Sequence, residues 1–377
     1  MNILIAPDAF KDCMSARQVA ISLRRGIERI MPETDFQIAP MADGGEGTVE
    51  SVIDATGGKR IEWVVKDPLM REINSFYGIT GDGSTAVIEM AAASGIELLI
   101  PEERDPWVTS TFGTGELIKN ALDRGCKKLL LGIGGSATND GGAGMAEALG
   151  VKFTCGREIS PGPGGGALGD VERIHMEGLD PGIADLDILV ACDVSNPLTG
   201  PEGASAIYGP QKGADGDMVK KLDHNLEHFA VLIRQQLGKE ISHVPGAGAA
   251  GGLGAGLMAF LGARLMKGFD MIAETVGLEE KIMQADLVIT GEGKMDGQTQ
   301  FGKTPFGVAQ LAQKHGKPVI GIAGTLEEGS EVLYQMGFNV ILPIQEKPSD
   351  LDFAIRHAGE LLKRSGERIA RMIRLEL

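Results

Sequence analysis

Residues 285–309 read ADLVITGEGKMDGQTQFGKTPFGVA. The apolar run Leu287-Val288-Ile289 has the length and composition of a buried strand. Glu292, Lys294, Asp296 and Lys303 follow among four glycines, and an amphipathic segment opens near Pro305. A strand that empties into a charged glycine loop and then a helix is how α/β proteins present chemistry at the carboxyl ends of their strands. Residues 297–304 also spell G-x-x-x-x-G-K-T, the pattern of a Walker A loop. In a true P-loop the strand feeds straight into the first glycine, whereas here residues 291–296 intervene and Pro305 follows the threonine. The backbone suits phosphate; the spacing argues against a P-loop fold.

From residue 285 onward the alternation is regular: strand 286–290, helix 305–315, strand 318–322, helix 328–336, strand 338–343 and a basic-edged final helix. That βαβαβα order predicts a parallel sheet. Its natural partner is the opening strand, residues 3–6, which makes one domain discontinuous and the middle of the chain an insertion. The opening strand leads through a loop to a capping box, Ser15 with Gln18, and a helix whose apolar face is Val19, Leu23, Ile27 and Ile30. The acidic glycine loop 41–47 leads to a helix over 48–55. Strands at 60–65, 72–79 and 85–90, separated by turn signals, read as an antiparallel meander and set a boundary near Gly57-Gly58. Strand 129–133 runs into the glycine loop 134–142, strand 188–191 ends in Cys192-Asp193, and Met218, Leu222, Leu226, Phe229, Ile233 and Leu237 define a long amphipathic helix.

Glycine supplies 55 of 377 residues, about twice the usual roughly 7 %. The glycines cluster in short loops, as expected where backbone packs closely against turns or ligands. A hydrophobic fraction of 43 % is enough for full cores, and a formal charge of −16 argues against nucleic acid, whose binding needs a basic face, while an anionic substrate would need Lys and Arg concentrated locally. Cys13, Cys126, Cys155 and Cys192 form no C-x-x-C pair and read as free thiols in a reducing compartment. The first residues lack the basic region of a signal peptide. Residues 246–263 are uncharged and about long enough to span a membrane, but their glycine content makes them too weakly apolar. The expectation is a cytoplasmic chain with no membrane segment.

Gly134, Gly135, Ser136, Thr138, Asn139, Asp140, Gly141 and Gly142 directly follow a strand and start a helix, so their amides and side chains suit an anion. The plainer reading is a tight strand-to-helix turn with an Asn/Asp cap. Asp193, at a strand end, sits where a carboxylate holds Mg²⁺ near a nucleotide, or where an Asx-turn ends a strand. Asp43 and Glu46 flank a glycine turn, as a base or metal pair or as acids favoured at a helix N-terminus. Lys11 suits a phosphate or carboxylate, or is an ordinary exposed lysine. His224 to His228 match H-x-x-E-H, but His224 lies roughly 200° round the helix from Leu222, opposite the apolar stripe, which argues against a zinc site.

Several blocks, in order, resemble the type I glycerate kinases, the bacterial family that phosphorylates D-glycerate. They are residues 6–11 (APDAFK), 41–48 (MADGGEGT), 67–71 (DPLMR), 134–144 (GGSATNDGGAG), 192–198 (CDVSNPL), 208–214 (YGPQKGA), 248–256 (GAAGGLGAG) and the organising stretch. Ala9 stands where the family usually has Ser, Met70 where it has Gly, Tyr208 where it has Phe, and Lys294 where it has Arg. The resemblance implies two α/β domains: a discontinuous Rossmann- or flavodoxin-like parallel-sheet domain, residues 1–58 with 281–377, and an inserted mixed α/β domain, residues 59–280, with the site between them. It implies ATP- and Mg²⁺-dependent phosphorylation of D-glycerate to 2-phosphoglycerate by a monomer or homodimer.

In that reading the loop 134–142 holds nucleotide phosphates and Asp193 carries Mg²⁺. Asp43 or Asp296 accepts the hydroxyl proton, with Lys11 also catalytic. Asp8, Phe10, Arg71, Glu292, Gln298 and Lys303 contact substrate, the cations neutralising the glycerate carboxylate and the transferring phosphoryl group. Two rival readings are a P-loop-type NTPase built on residues 297–304 and a non-catalytic sensor of an anionic metabolite.

Overall fold

A computed structural model describes residues 1–156, 160–297, 299 and 303–375. The chain divides into two compact units. Met1–Asp43, Glu50–Gly57 and Phe269–Leu377 form the first, and Gly44–Val49 with Gly58–Gly268 the second.

In the first unit the Leu287 run becomes the middle strand of a five-stranded parallel sheet. The strand order is Val340–Pro343, Val319–Leu326, Leu287–Met295, Asn2–Ile5, Asp35–Ile38. The opening strand pairs with it as expected, Ile3 opposite Leu287 and Ile5 opposite Ile289. Strands covered on both faces are apolar throughout rather than alternating, which is why these runs were readable. The middle strand continues past residue 290 to Met295, pairing Lys294 with Thr325 and Met295 with Leu326. A Cβ at Gly291 would lie 1.9 Å from the Ile322 carbonyl oxygen, so its glycine serves strand packing as much as loop formation.

Helix Ala16–Ile30 opens with the expected capping box. The Gln18 amide donates to Ser15 Oγ at 3.3 Å, and the Ser15 amide to Gln18 Oε1 at 3.0 Å. Its buried face, Val19, Leu23 and Ile27, packs with Leu362 and Ile369 of helix Leu351–Ile373 in one core with the sheet. The two helices approach backbone to backbone: a Cβ on Gly26 would come within 1.9 Å of the Lys363 carbonyl oxygen. The helix expected over 328–336 is a 3₁₀ run, Ser330–Met336. Asp35–Ile38, a four-residue half-exposed edge strand, was not anticipated.

The second unit holds a six-stranded mixed sheet in the order Arg264–Met266, Asp187–Ala191, Lys128–Gly132, Thr85–Glu89, Glu72–Ile79, Lys59–Lys66. The last three form the expected antiparallel meander. Thr85–Glu89 also pairs parallel to Lys128–Gly132, joining the meander to the parallel half. Helix Gly216–Leu237 buries Leu222, Leu226, Phe229 and Ile233, with Phe229 edge-on to Phe153 at 5.4 Å between ring centres. His224 is exposed, and His228 Nε2 lies 2.8 Å from the Val171 carbonyl oxygen, so the H-x-x-E-H pair is surface structure.

The uncharged stretch turns through left-handed backbone at Ala250, Gly251 and Gly252 inside Ala249–Leu261, a helix buried in this core. Among the described residues no helix is long and apolar enough to cross a membrane. No disulfide links Cys13, Cys126, Cys155 or Cys192 among the described residues.

Candidate functional site

In the first unit the chain leaves Asn2–Ile5 toward one edge of the sheet, while Leu287–Met295 lies on its other side. This is the flavodoxin-like order, and the crevice at the carboxyl ends of these two strands is its topological switch point. The loop after the first strand is held there by the Asp8 amide, which donates to the Gly291 carbonyl at 2.8 Å. Thr290 Oγ1 donates to the Ala6 carbonyl at 2.8 Å. Asp8 is thereby fixed beside the strand that carries Glu292.

Asp8 is partly covered, and its carboxyl accepts from the Ala9 amide at 2.7 Å. Burial pushes its pKa up to about 7; the Thr304 side chain and the Ala9 amide oppose the rise, while the charges of Asp43 and Glu292 add to it. Glu292 accepts from Thr299 Oγ1 at 2.9 Å and pairs with Lys303 Nζ at 3.3 Å. Burial raises its pKa too, against the pull of Lys303 and Thr299. Asp43 and Lys11 are exposed. Asp296 lies 3.5 Å from Lys294 Nζ, which also pairs with Glu327 at 2.7 Å. The unit therefore gathers Asp8, Asp43, Glu292 and Lys303 around one strand junction. Phe10 is not part of that surface: it is 3 % exposed, in the core beneath the sheet end. Gln298 lies outside the described residues, as do four residues in all of the Walker-like stretch counted with it (298 and 300–302).

In the second unit, the carboxyl ends of Thr85–Glu89, Lys128–Gly132 and Asp187–Ala191 carry the other candidates. Gly44, of the 41–48 block, lies in a slot over two of them. At φ 90° a Cβ there would meet the Ala191 Cβ at 2.2 Å, and a Cβ on Gly132 would meet the Gly44 carbonyl oxygen at 2.1 Å. The Glu89 carboxylate accepts from the Val49 amide at 2.8 Å, at the first turn of helix Thr48–Thr56. That contact suits an acid at a helix N-terminus.

The loop 134–142 divides into a rim and an interior. Gly134 and Gly135 are exposed, and the amides of Gly134, Gly135 and Ser136 have no acceptor among the described residues. Thr138, Asn139, Asp140, Gly141 and Gly142 are buried. Asp140 ties the loop down: its Oδ2 accepts from the Thr111 amide and hydroxyl, both at 2.8 Å, and from the Gly144 amide at 3.2 Å. Its Oδ1 accepts from the Gly142 amide at 3.1 Å. Burial raises the Asp140 pKa, and those hydrogen bonds oppose the rise. Gly141 packs against Phe229 and Leu226. The loop's buried residues, Ser136 among them, brace it, while Gly134 and Gly135 face solvent.

Asp193 is exposed, with Oδ1 accepting from the Gly268 amide at 3.1 Å. Among the described residues no group of three or more His, Cys, Asp or Glu is arranged to hold a metal. Arg71 pairs with Asp67 at 2.6 Å and Glu103 at 2.7 Å, so its guanidinium is already engaged on two sides. Met70, beside it, adopts the left-handed φ of 65° that a glycine would take without strain. Tyr208 uses its extra hydroxyl, donating to Asn196 Oδ1 at 2.7 Å.

One residue went unassigned in the sequence. Lys212 is 1 % exposed, and its Nζ donates to Ser136 Oγ at 2.6 Å and to the Thr138 carbonyl at 2.7 Å. Its place in the 208–214 block was the available signal, but a lysine among glycines reads as a solvated one.

Comparison with known proteins agrees with the motifs. The model of the glycerate kinase family matches residues 3–374. The chain is 50 % identical over 371 residues to the glycerate 2-kinase of Escherichia coli K12, covering 98 % of this chain and 97 % of that protein. It is 49 % identical over 375 residues to the glycerate kinase of Bacillus subtilis 168, covering 100 % and 98 %. A crystal structure from Salmonella typhimurium LT2, provisionally described as glycerate kinase 2, superposes with a TM-score of 0.92 at 44 % identity, over 99 % of this chain and 98 % of that one.

Proposed function

The chain belongs to the glycerate kinase family, and on that premise we propose that it transfers the γ-phosphoryl group of ATP to the 2-hydroxyl of D-glycerate. The observation that carries the site assignment is Asp8, a partly covered carboxyl whose backbone is held at the switch point by the Gly291 carbonyl, with Asp43 and Glu292 close enough to act on it. A general base works best with a pKa near the working pH. Asp8 meets that condition, so we assign it the hydroxyl proton in place of Asp43 or Asp296. As the glycerate oxygen bonds to the γ-phosphorus, the bond from that phosphorus to the bridging oxygen breaks. ADP leaves and the proton passes to Asp8. Lys11 and Lys303 supply positive charge for the glycerate carboxylate and the transferring group, since such transfers ask mainly for positioning and charge neutralisation. Arg71 is left out of the substrate set because Asp67 and Glu103 already hold it.

The amides of Gly134 and Gly135, at the exposed start of the loop, suit the phosphates of the donor, with the Ser136 amide beside them. Mg²⁺ typically takes one or two carboxylates plus substrate phosphates, so the lack of a three-ligand cluster among the described residues is compatible with it. Asp193 would hold it, and its chemistry there would be neutralisation of phosphate charge.

A coupled assay of ADP release with ATP, Mg²⁺ and D-glycerate, with L-glycerate as control, tests the reading. Product detection that needs added enolase alone identifies 2-phosphoglycerate. A folded protein that binds ATP yet releases no ADP with either glycerate would overturn it.

A further inference from the structure

Lys212 is a buried lysine whose hydrogen-bond acceptors are both neutral. Gly209 anchors the short turn that carries it, its carbonyl accepting from the Lys212 amide at 3.0 Å. Gly213, at φ 102°, packs so closely that a Cβ would lie 2.0 Å from the Arg104 carbonyl oxygen. The side chain is thereby committed to the underside of the loop 134–142. There it meets a hydroxyl and a carbonyl, Ser136 Oγ and Thr138 O. Asp140 is the charged group that faces it, but that carboxyl is already taken up by Thr111, Gly142 and Gly144. Burial pushes the Lys212 pKa down to about 7, with Asp140 opposing.

Burying an ammonium without an ionised hydrogen-bond partner is costly, and the usual remedy is a paired anion. Two more buried polar atoms of the same loop, Thr138 Oγ1 and Asn139 Oδ1, have no hydrogen-bond partner among the described residues. Lys212 Nζ also occupies Ser136 Oγ and the Thr138 carbonyl oxygen, two acceptors of the loop whose Gly134, Gly135 and Ser136 amides have no acceptor among the described residues.

We propose that Lys212 is a positioning residue for the donor phosphates, turning the loop's carbonyl and hydroxyl oxygens inward and lending the rim a positive charge completed by the bound anion. This rests on the reading of the loop as the phosphate cradle. An anion that arrives over the rim favours the charged form of the lysine, so binding is coupled to proton uptake. Burial disfavours the charged lysine in the free protein, and a phosphate over the rim would favour it.

The probe is ADP with Mg²⁺, titrated calorimetrically at pH 8 in two buffers of different ionisation enthalpy. The wild-type chain is expected to take up most of one proton per ADP. Lys212→Met is expected to bind ADP at least about tenfold more weakly with no such uptake, a loss in line with removal of a charge-assisted contact. Its KM for D-glycerate stays within about twofold. Wild-type binding without proton uptake overturns the proposal and needs no variant. So does a folded Lys212→Met that binds ADP like the wild type.

Gly135→Val separates the two readings, because a β-branched residue at φ 72° forces the rim backbone to move. If it weakens ADP binding and Lys212→Met does not, the cradle stands and the role of Lys212 falls. If neither weakens it, the cradle reading falls and takes the lysine with it.

Discussion

Replacing Asp8 by Asn removes a titrating group while keeping its shape and its acceptor oxygen. The folded pKa of about 7 stands well above the 3.8 of an unperturbed aspartate. A raised carboxyl pKa means the folded state binds the proton more tightly than the unfolded state. The group's contribution is fully present below about pH 4 and is lost as pH rises through about 7. At 1.36 kcal/mol per unit, the ceiling on that loss is about 4 kcal/mol. Asp8 is only partly covered, so water screens it, and about half that value is the working expectation.

Asp8→Asn is therefore expected to match the wild type in stability near pH 4.5 and to exceed it by about 2 kcal/mol at pH 8.5, roughly 4–8 °C in Tm. Turnover should fall by about 10²–10⁴, the usual worth of a general base. Thermal unfolding at both pH values, with steady-state kinetics on the same samples, checks the pair. A stability difference that does not change with pH would refute the argument from burial. Wild-type turnover in the variant would refute the assignment of the base.

In the wild type, kcat/KM should fall as pH drops below about 7, because the base must be unprotonated to work. Glu292→Gln removes a negative neighbour of Asp8 and should move that acid limb to lower pH, which a pH–rate profile of the variant reads directly. Met70→Gly relieves a left-handed side-chain conformation costing about 1–2 kcal/mol, less the extra backbone entropy glycine loses. A net gain of about 0.5–1 kcal/mol in urea unfolding is expected, and a loss would show that the Met70 side chain packs usefully. Gly44→Ala meets Ala191 head-on at a positive φ and should cost at least about 2 kcal/mol by the same measurement. Tyr208→Phe loses one hydrogen bond to Asn196, worth about 1 kcal/mol of stability, and should leave turnover nearly unchanged.

Much of this molecule was legible because its central strands are apolar on both faces and its loops carry clustered glycines. Leu287 to Ile289 announced the parallel sheet, and Ser15 with Gln18 announced the first helix. Where the chain misled, local character and tertiary environment pulled apart. Residues 291–295 look like loop, yet they extend a strand because Gly291 fits under the Ile322 carbonyl oxygen. Phe10 belongs to a motif beside the site but points into the core. Thr138 to Gly142 read as ligand contacts, and burial makes them the brace behind the rim. Lys212 was invisible for the opposite reason: nothing in its neighbours hints that a lysine there is enclosed. Asp8 owes its raised proton affinity first to burial and then to the charges of Asp43 and Glu292, an environment that its neighbours in the chain do not announce.

The pairing of Asn2–Ile5 with Leu287–Met295, and of helix Ala16–Ile30 with helix Leu351–Ile373, also sets a timetable for biosynthesis. The opening strand and helix leave the ribosome first; Asp35–Ile38 follows at once on one side, but Leu287–Met295 and helix Leu351–Ile373 come only after the whole second unit. At about 5–20 residues per second, some 15–60 s separate residue 57 from residue 343. During that interval residues 58–268 can complete their own sheet and core, while the first 43 residues wait with an apolar strand and an apolar helix face uncovered. Nascent chains halted near residue 270 should therefore carry a protease-resistant middle and a protease-sensitive beginning, and they are the chains that most need a chaperone at the amino terminus.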